Sequence, residues 1–434
     1  MDTSTRRFRH LLFAALLVGT AACAPRTRPP ADAEAPTADA AAPAPEARSA
    51  VLLVSLDGFR PDYLDPQTTP NLWRLAAHGV RAEAMIPSFP TKTFPNHYTI
   101  VTGLRPDHHG LVANNMWDPE IKATYGLSIR DQVRNPDWYG GTPVWVTAER
   151  HGMATAPLFW PGNEAPIGGV LPSYWLPYDG DMPHADRVNW VLDRMAGTKG
   201  PAARFATLYF SDTDDVGHRY GPHAPETAVA AARVDSTIGY LVDGLAARHL
   251  TDVNLIIVSD HGMAQLSPDR AIFLDDFIDP ASTRVVDWNP VLAIWPSADQ
   301  ADAIYEALSG ASPHLKVYRR GEIPAHYQFG TNERVAPIVA IADVGWAITT
   351  HAYVDDHPHA LDGGNHGYDQ NALAMRALFV ADGSAFANGL VVEPFSNVDV
   401  YPLIMEILDL PAAPNDGKLS EVAGMLETRA AGVR

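Results

Sequence analysis

Cysteine is almost absent from this sequence. Cys23 is the only cysteine among 434 residues, which excludes an intramolecular disulfide. The fold must therefore be held by its core, and the 46% apolar content is enough for one large core or for a catalytic domain with a lid. No internal repeat is visible, which argues against a solenoid or a propeller.

Positive charge is also scarce. The chain has 32 Lys and Arg against 51 Asp and Glu, a formal net charge of −19. Affinity for a nucleic-acid polymer comes mainly from neutralising phosphates with basic side chains, so this composition excludes a long nucleic-acid track. A small nucleotide remains compatible with it, because bound metal ions can supply positive charge locally.

Long apolar runs are missing as well. The N-terminal run 11–18 follows basic residues and is far shorter than the roughly 20 residues that a membrane-spanning helix needs. Together with the small residues that precede Cys23, it predicts a secretory signal peptide over 1–22. Cys23 itself resembles the lipidated first residue of a bacterial lipoprotein, followed by an Ala/Pro-rich linker over 23–49.

These features predict an exported, periplasmic protein of a Gram-negative-type bacterium, anchored to the membrane only through a lipid on Cys23. The alternative is ordinary cleavage after Ala22 or Ala24, which would release a soluble periplasmic or secreted protein. We expect a monomer.

Three short apolar runs each lead into acidic residues. Runs 49–56, 205–210 and 254–259 come before Asp57, Asp214 and Asp260. Such runs are typical of buried strands, and in an α/β sheet the ligands gather at the carboxyl ends of the strands. The predicted fold is α/β, with a mixed, mostly parallel central sheet flanked by helices. Further strands are expected near 344–349 and 375–381, and helices over 71–78, 227–246 (with Val229 on its apolar face) and 402–410.

Residues 264–360 break this alternation of strands and helices. They are rich in Pro, Asp and aromatic residues and show no long helical pattern. We interpret part of this range as a small cap-like insertion beside the site. The catalytic domain is then expected over 50–416, with a C-terminal tail over 417–434.

The chain offers three Asp and three His in separate segments that suit metal binding. They are Asp57, Asp214, His218, Asp260, His261 and His366. Oxygen and imidazole ligands are those that zinc prefers, and two adjacent ions can promote an in-line phosphoryl displacement. Taken singly, each of these residues could equally be a turn, a cap or a surface pair. Taken together, they indicate a two-metal site.

A candidate nucleophile lies in PTKTFPNHY. Pro95 favours a helix that begins nearby, with Thr93 at its N-cap. A helix N-terminus offers free backbone N–H groups to an anion, so the Thr93 hydroxyl could face both a metal and a phosphate. The alternative is that Thr93 is only a helix cap. His97, inside this helix, is expected to pack or to orient other groups rather than to bind metal.

Several motifs, in this order, carry a family resemblance. LDGFRPDYL, KTFPNHYTIVTGL, FWPG, DVGHRYGP, VSDHGM and NHGYD resemble the nucleotide pyrophosphatase/phosphodiesterase family of the alkaline phosphatase superfamily. They extend from residue 56 to residue 369, nearly the whole expected catalytic part. Two departures are Ser211-Asp212, where many relatives have two Glu, and Gln370, where Asn is usual.

The resemblance implies two Zn²⁺ ions per chain. One would be bound by Asp214, His218 and His366, and the other by Asp57, Asp260 and His261, with Thr93 facing it. Asn114 would donate a hydrogen bond to a phosphate oxygen, together with the backbone N–H of Thr93. Phe94 and Tyr178 would enclose the base of a nucleotide, with Asn163, Glu164 and Trp175 at the rim.

The function implied is hydrolysis of nucleotide phosphodiester and pyrophosphate bonds through a covalent Thr93 intermediate, which would release nucleoside 5′-monophosphates. The partner expected is a small nucleotide. The nearest alternative is the same chemistry on lipid or choline phosphodiesters. A monoester phosphatase and a metal-stabilised binding protein without turnover are further alternatives, and Asn114 and Thr93 argue against them.

Overall fold

The computed structural model describes residues 49–427. The predicted signal peptide 1–22, Cys23, the linker up to residue 48 and the last part of the tail 417–434 lie outside the described residues. Within 49–427, none of the helices combines the length and the apolar character required to cross a bilayer.

A seven-stranded sheet forms the centre of the described chain. One strand, Phe379–Asp382, runs antiparallel to both of its neighbours, and the other pairings are parallel. The predicted mixed, mostly parallel sheet is therefore confirmed. The strands lie in the order Leu390–Val392, Val80–Ala82, Phe379–Asp382, Val253–Val258, Ala50–Leu56, Phe205–Phe210 and Thr155–Pro157.

The strand Ala50–Leu56 shows why the sheet is covered on both faces. All of its side chains are buried. Successive side chains of a strand point to opposite faces, and here Val51 and Leu53 join one hydrophobic core while Leu52 and Val54 join the other. Burying an apolar side chain of this size stabilises the fold by about 1.5–3 kcal/mol. A strand that is buried on both faces of the sheet requires a continuous apolar run, because residues that point to either face are excluded from water.

Helices pack on both faces of the sheet. The helices that were predicted from sequence begin and end within two or three residues of their expected positions. The α-helices are Pro70–His78, Thr93–Thr102, Pro106–His109, Arg130–Val133, Val144–Arg150, His184–Met195, Asp212–Tyr220, Pro225–Ala247, Ala301–Ser309, His351–Asp356, Val400–Ile407 and Leu419–Val422.

The prediction for Val229 was wrong. Its side chain is 63% exposed, whereas the buried stripe of the helix Pro225–Ala247 runs through Ala230, Val234, Ile238 and Leu241. One residue along a helix is a rotation of about 100°. Val229 therefore lies off the face that packs on the sheet, although its residue type suits that face.

Residues 264–360 contain a second, four-stranded antiparallel sheet. It has its own core, which includes Leu292, Leu308 and Ala340. Its role as a cap beside the site stays a prediction. Its strands lie in the order Arg284–Asp287, Val291–Trp295, Ile338–Ala342 and Leu315–Arg319.

Shorter strands complete the described chain, including Ala347–Thr349 inside the range predicted as 344–349. In the first residues of the predicted tail, Val422 and Met425 are buried in the main core. The other short strands are Met85–Ile86, Met116–Asp118, Ala123–Tyr125, Ala264–Gln265, Ala271–Phe273, Gly364–Asn365 and Phe395–Ser396.

Candidate active site

The six predicted metal ligands meet at one edge of the central sheet. Asp57 directly follows the strand Ala50–Leu56, and Asp260 and His261 follow the adjacent parallel strand Val253–Val258. On the other side, the strand Phe205–Phe210 leads into the helix Asp212–Tyr220, which carries Asp214 and His218 one turn apart. Parallel pairing in register places all these segments at the same end of the sheet.

A glycine allows two of these segments to approach closely. Gly58 has φ +65°, and a Cβ at this position would lie 3.0 Å from the Asp214 Cα. A side chain here would be strained and would push the two Asp segments apart. Gly58 thus brings Asp57 and Asp214 into one site.

Imidazole nitrogens and carboxylate oxygens face each other across the site. His218 Nε2 lies 3.5 Å from Asp214 Oδ2, and His366 Nε2 lies 3.6 Å from Asp214 Oδ1. His261 Nε2 lies 2.9 Å from Asp260 Oδ2 and 3.5 Å from Asp57 Oδ1. The rings of His261 and His366 are stacked, with centroids 3.5 Å apart. All six predicted ligands therefore share one compact cluster.

All three histidines have their tautomer fixed by the backbone. In each, Nδ1 lies within hydrogen-bond distance of a carbonyl oxygen, which can only accept, so Nδ1 carries the proton and Nε2 keeps its lone pair. Metal-binding histidines are commonly held in this way. The pairs are His218 with the Gly364 carbonyl at 3.0 Å, His261 with Gly262 at 2.9 Å and His366 with Thr91 at 2.8 Å.

The hydrogen bonding of the three carboxylates also indicates a cation site. Among the described residues, three buried carboxylate oxygens have no hydrogen-bond partner, one each from Asp57 (Oδ1), Asp214 (Oδ1) and Asp260 (Oδ2). A buried charge without a partner is costly unless it is paired or coordinates a metal. The Nε2 lone pairs of the histidines face these unpaired carboxylates, and they too require a positively charged partner. The donor set thus fits cations.

The pKa shifts reflect the crowding of charge. Burial and the neighbouring charges of Asp260 and Asp214 raise the pKa of Asp57 well above its usual value. Burial also raises the pKa of Asp214, although His218 opposes the shift. The pKa of His366 is held well below its usual value by burial and by His261, which keeps this imidazole neutral and able to bind metal.

The candidate ligand atoms form two close groups, each within 4.8 Å: Asp214, His261 and His366 in one, and Asp57, His97 and Asp260 in the other. His261 belongs to the first of these groups. Its Nε2 also lies close to Asp260 in the second group. His97 is already engaged at both nitrogens, because Nδ1 donates to the Thr93 carbonyl at 2.8 Å and Nε2 accepts from Ser55 Oγ at 2.8 Å. We therefore assign His97 to positioning, as its sequence suggested.

Thr93 lies at the edge of this cluster. Its Oγ1 is 3.4 Å from His261 Nε2. The helix begins at Thr93 itself, and Lys92 occupies the N-cap position without a side-chain cap hydrogen bond. The expectation that Thr93 is the N-cap was therefore wrong by one residue. As a consequence, the Thr93 hydroxyl is not used to cap the helix and faces the site instead.

Asn114 is fixed beside the nucleophile. Its Oδ1 accepts a 2.9 Å hydrogen bond from the backbone N–H of Phe94. Because this bond uses the amide oxygen, the Nδ2 donors of Asn114 remain for a ligand. Asn114 lines the same cavity as Thr93.

That cavity has a volume of about 530 Å³ and also contains both predicted base-contacting aromatics, Phe94 and Tyr178. Tyr178 is 45% exposed, and its backbone N–H donates to Glu164 Oε1 at 3.0 Å. Glu164 is in turn paired with Arg130 and Arg134. Asn163 and Glu164 line the cavity as expected, whereas Trp175 is not among the lining residues.

Sequence reasoning missed the role of Tyr209. Its hydroxyl donates to Asp57 Oδ2 at 2.7 Å, so this tyrosine orients a predicted ligand. The available signal was a phenol in an otherwise apolar run, one residue before the strand end. Neither that signal nor its spacing identifies the carboxylate that it contacts.

Comparison with known proteins now decides the family. The model of the type I phosphodiesterase/nucleotide pyrophosphatase family matches residues 51–369. This chain belongs to that family. It is a hydrolase that acts on phosphodiester bonds, in a metal-dependent family of the alkaline phosphatase superfamily.

Two curated relatives match this phosphodiesterase over most of their own length. Ectonucleotide pyrophosphatase/phosphodiesterase family member 5 of Homo sapiens is 38% identical over 380 residues, which cover 87% of this chain and 78% of the relative. Bis(5′-adenosyl)-triphosphatase enpp4 of Xenopus laevis is 38% identical over 378 residues, with 87% and 81% covered.

Solved structures show the same fold. Murine ectonucleotide pyrophosphatase/phosphodiesterase 5, inactive with one threonine changed to alanine and in complex with AMP, has a TM-score of 0.83 at 38% identity. The match covers 88% of this chain and 100% of the murine one. The human protein has a TM-score of 0.82 at 36% identity, over 87% of this chain and 100% of its own.

Proposed function

We propose that this chain is a two-zinc nucleotide pyrophosphatase/phosphodiesterase that releases nucleoside 5′-monophosphates through a covalent intermediate on Thr93. One observation carries the proposal: a helix-terminal hydroxyl, a cluster of six metal-binding side chains and two aromatic side chains line or border one cavity. The names of the relatives, which describe nucleotide hydrolases, support it.

The donor set fits two zinc ions. Three imidazoles with three carboxylates suit zinc better than magnesium or calcium, which prefer oxygen ligands alone. When bound, the ions supply Lewis acidity to the nucleophile and to the leaving oxygen. One would be held by Asp214, His218 and His366, and the other by Asp57, Asp260 and His261.

Thr93 performs the first step. Its hydroxyl releases its proton to solvent as Oγ1 forms a bond to phosphorus, and the bond from phosphorus to the leaving oxygen breaks on the opposite side, so that the leaving oxygen keeps the electron pair. The product is a nucleotidyl group esterified to Thr93. Water then attacks phosphorus, breaks the bond to Thr93 and releases the nucleoside 5′-monophosphate. The murine relative that is inactive after a threonine-to-alanine change supports this role.

Asn114 selects diesters over monoesters. Its free amide donors and the N-terminal backbone of the Thr93 helix face the position of the phosphate. A neutral donor suits the single negative charge of a diester, whereas an arginine would match the two charges of a monoester.

Phe94 and Tyr178 bind the base. Stacking of a base on an aromatic ring contributes about 1–3 kcal/mol and tolerates every base. Tyr178 is exposed enough to contact a ligand, while the Glu164 hydrogen bond holds its backbone in place. The substrates proposed are nucleoside triphosphates, dinucleoside polyphosphates and NAD-like compounds.

We also propose that the chain works outside the cytoplasm as a monomer. The basic residues before the run 11–18 and the small residues before Cys23 support export and lipid anchoring. A spacer of Ala, Pro and polar residues after Cys23 would separate the catalytic domain from the membrane. Metabolic labelling with a fatty acid, compared between the natural chain and Cys23→Ala, tests the anchor.

The first test is hydrolysis of ATP and of a phosphatidylcholine-type diester by zinc-loaded protein, with an EDTA control. We expect AMP and pyrophosphate from ATP, and loss of this activity on chelation. Release of phosphocholine or choline without ATP hydrolysis would retain the two-metal chemistry and contradict the role of Phe94 and Tyr178. Absence of turnover on both would contradict the enzymatic proposal.

A further inference from the structure

Thr91 lies two residues before the proposed nucleophile and is fully buried, with 0% of its surface exposed. Its hydroxyl accepts a hydrogen bond from the backbone N–H of Gly367 at 3.0 Å and donates one to the carbonyl of Tyr368 at 3.0 Å. Its backbone carbonyl accepts from Nδ1 of His366 at 2.8 Å. Thr91 therefore contacts three consecutive residues of the loop that carries a predicted metal ligand.

The hydrogen-bonding capacity of this hydroxyl is used by the loop. A threonine hydroxyl has one proton to donate and accepts through its lone pairs. The thioether sulfur of Met375 also lies within reach, at 3.1 Å, but it is a weaker acceptor than the carbonyl of Tyr368. Replacing the Thr91 hydroxyl by a methyl group would remove both of its hydrogen bonds to the loop, and buried backbone groups are costly to leave without partners.

The loop has no regular backbone ladder of its own. In the described chain, residues 366–369 belong to no helix or strand, and the two-residue strand Gly364–Asn365 ends just before His366. Gly367 has φ +113°, a conformation that side-chain-bearing residues rarely adopt, so the chain turns here instead of continuing the strand. The position of His366 thus depends on tertiary contacts such as those of Thr91.

On its other side, Thr91 is tied to the helix that presents the nucleophile. Asn96 belongs to the helix Thr93–Thr102 and is also 0% exposed. Its Nδ2 donates to the carbonyl of Pro90 at 3.0 Å and to that of Lys92 at 2.9 Å. These two carbonyls flank Thr91, so the Asn96 side chain holds the backbone around Thr91 against the nucleophile helix. A continuous set of buried hydrogen bonds therefore joins this helix to the loop.

We propose that Thr91 is a positioning residue that fixes the nucleophile Thr93 and the ligand His366 relative to each other. This inference rests on the proposed function, because it assumes that His366 binds one of two metal ions. Partners that orient a metal-binding histidine affect both metal affinity and activity, and a displacement of about 1 Å in a catalytic group can lower a rate about 100-fold. The alternative is that the Thr91 hydroxyl only stabilises the core.

The test compares zinc binding with turnover in Thr91→Val, which has the same shape and lacks the hydroxyl. Competition with a zinc indicator measures the affinity for each of the two ions. We expect the ion assigned to His366 to bind about 10- to 100-fold more weakly and the other to be unaffected. At saturating zinc, kcat for ATP should fall about 10-fold or more, with little change in KM, because the aromatic side chains proposed to bind the base are unaltered.

A matched control separates this effect from a loss of stability. Thr69 is also 0% exposed, and its hydroxyl accepts from the backbone N–H of Asp65 at 2.9 Å and donates to the carbonyl of Tyr63 at 3.0 Å. Thr69→Val should lower the free energy of unfolding in urea but leave zinc affinity and kcat unchanged. Thr91→Ser, which restores the hydroxyl, should recover most of both quantities.

The proposal would be overturned by a Thr91→Val protein that is less stable in urea, yet binds both zinc ions and turns over ATP as the unmodified chain does. Equal weakening of both ions would also overturn it, because that result indicates general disruption. If Thr91→Val does not fold, Thr91→Ala removes the same hydroxyl without adding a methyl group and carries the same expectation. Failure of the proposed function looks different, since the unmodified chain would then bind no zinc or hydrolyse no ATP.

Discussion

The Tyr209 hydroxyl donates a 2.7 Å hydrogen bond to Oδ2 of Asp57. Burial and the adjacent Asp57 raise the pKa of Tyr209 well above its usual value, so the phenol stays protonated and remains a donor. The other oxygen of Asp57, Oδ1, lacks a hydrogen-bond partner among the described residues and lies 3.5 Å from His261 Nε2. Tyr209 thus determines which oxygen is left to coordinate a metal.

Replacing Tyr209 by Phe should weaken zinc binding. The change removes the hydrogen bond that orients Asp57 and favours its charged form, and loss of such outer partners typically costs about 10- to 100-fold in metal affinity. Competition with a zinc indicator measures the effect. Tyr174→Phe is the control, because the Tyr174 hydroxyl donates to the carbonyl of Pro201 instead. Equal zinc affinity in the two variants would contradict the role of Tyr209.

Replacing Thr93 by Ala should remove turnover and keep the metal. The variant lacks the attacking oxygen, and loss of a nucleophile typically lowers kcat by more than about 1,000-fold. Thr93→Ser, which restores a hydroxyl, should recover part of the rate. Steady-state hydrolysis of ATP and zinc content by atomic absorption are measured together. Normal activity in Thr93→Ala would refute the covalent intermediate.

The buried pair of Lys92 and Asp287 connects the nucleophile segment to the second sheet. The side chains are 6% and 10% exposed. Burial raises the pKa of Asp287, and the Lys92 ammonium opposes that shift. Asp287→Ala leaves a buried ammonium without its partner, which should lower the free energy of unfolding by about 3–5 kcal/mol.

Urea denaturation measures this loss. Asp302→Ala provides the comparison, because Asp302 pairs with Arg319 at the surface and is 85% exposed. An exposed pair contributes about 0–1 kcal/mol. Similar effects of the two substitutions would show that the Lys92–Asp287 pair does not hold the nucleophile segment in place.

His109 should make stability depend on pH. Burial lowers the pKa of His109 to about 3, from a usual value of 6.5. Its Nδ1 accepts from the backbone N–H of Leu111, so the neutral ring is the form that the core accommodates. Between these two pKa values, the unfolded chain binds a proton that the folded chain does not. The contribution of His109 is therefore present above pH 6.5 and lost as pH falls toward 3.

The measurement is the free energy of unfolding at several pH values in this window. One such group contributes a slope of up to about 1.4 kcal/mol per pH unit. His109→Gln, with a side chain that does not titrate, should show a shallower decrease on acidification, whatever its absolute stability. Parallel profiles for the two proteins would exclude a neutral buried His109.

Sequence-based prediction succeeded where a single short segment contained the whole pattern that specifies a strand or a helix. The apolar runs before Asp57 and Asp260 predicted buried strands with functional ends, because only a strand covered on both faces is apolar at every position. Asp214 and His218 are four residues apart, a spacing typical of one helical face, and both lie in the helix Asp212–Tyr220. Two predictions were wrong. The burial of Val229 depends on how the helix is rotated against the sheet, and the position of the N-cap near Thr93 depends on where the first helical hydrogen bond forms.

By itself, the sequence determined the fold class, the family and the inventory of metal-binding, nucleophilic and aromatic side chains. Only the tertiary structure decided how these groups are oriented: that Tyr209 reaches Asp57, that His97 is occupied at both nitrogens, and that Thr91 contacts the loop that carries His366. The reason is physical. Local runs of residues specify strands and helices, whereas hydrogen bonds and cavities between distant segments arise from packing, which no single segment encodes.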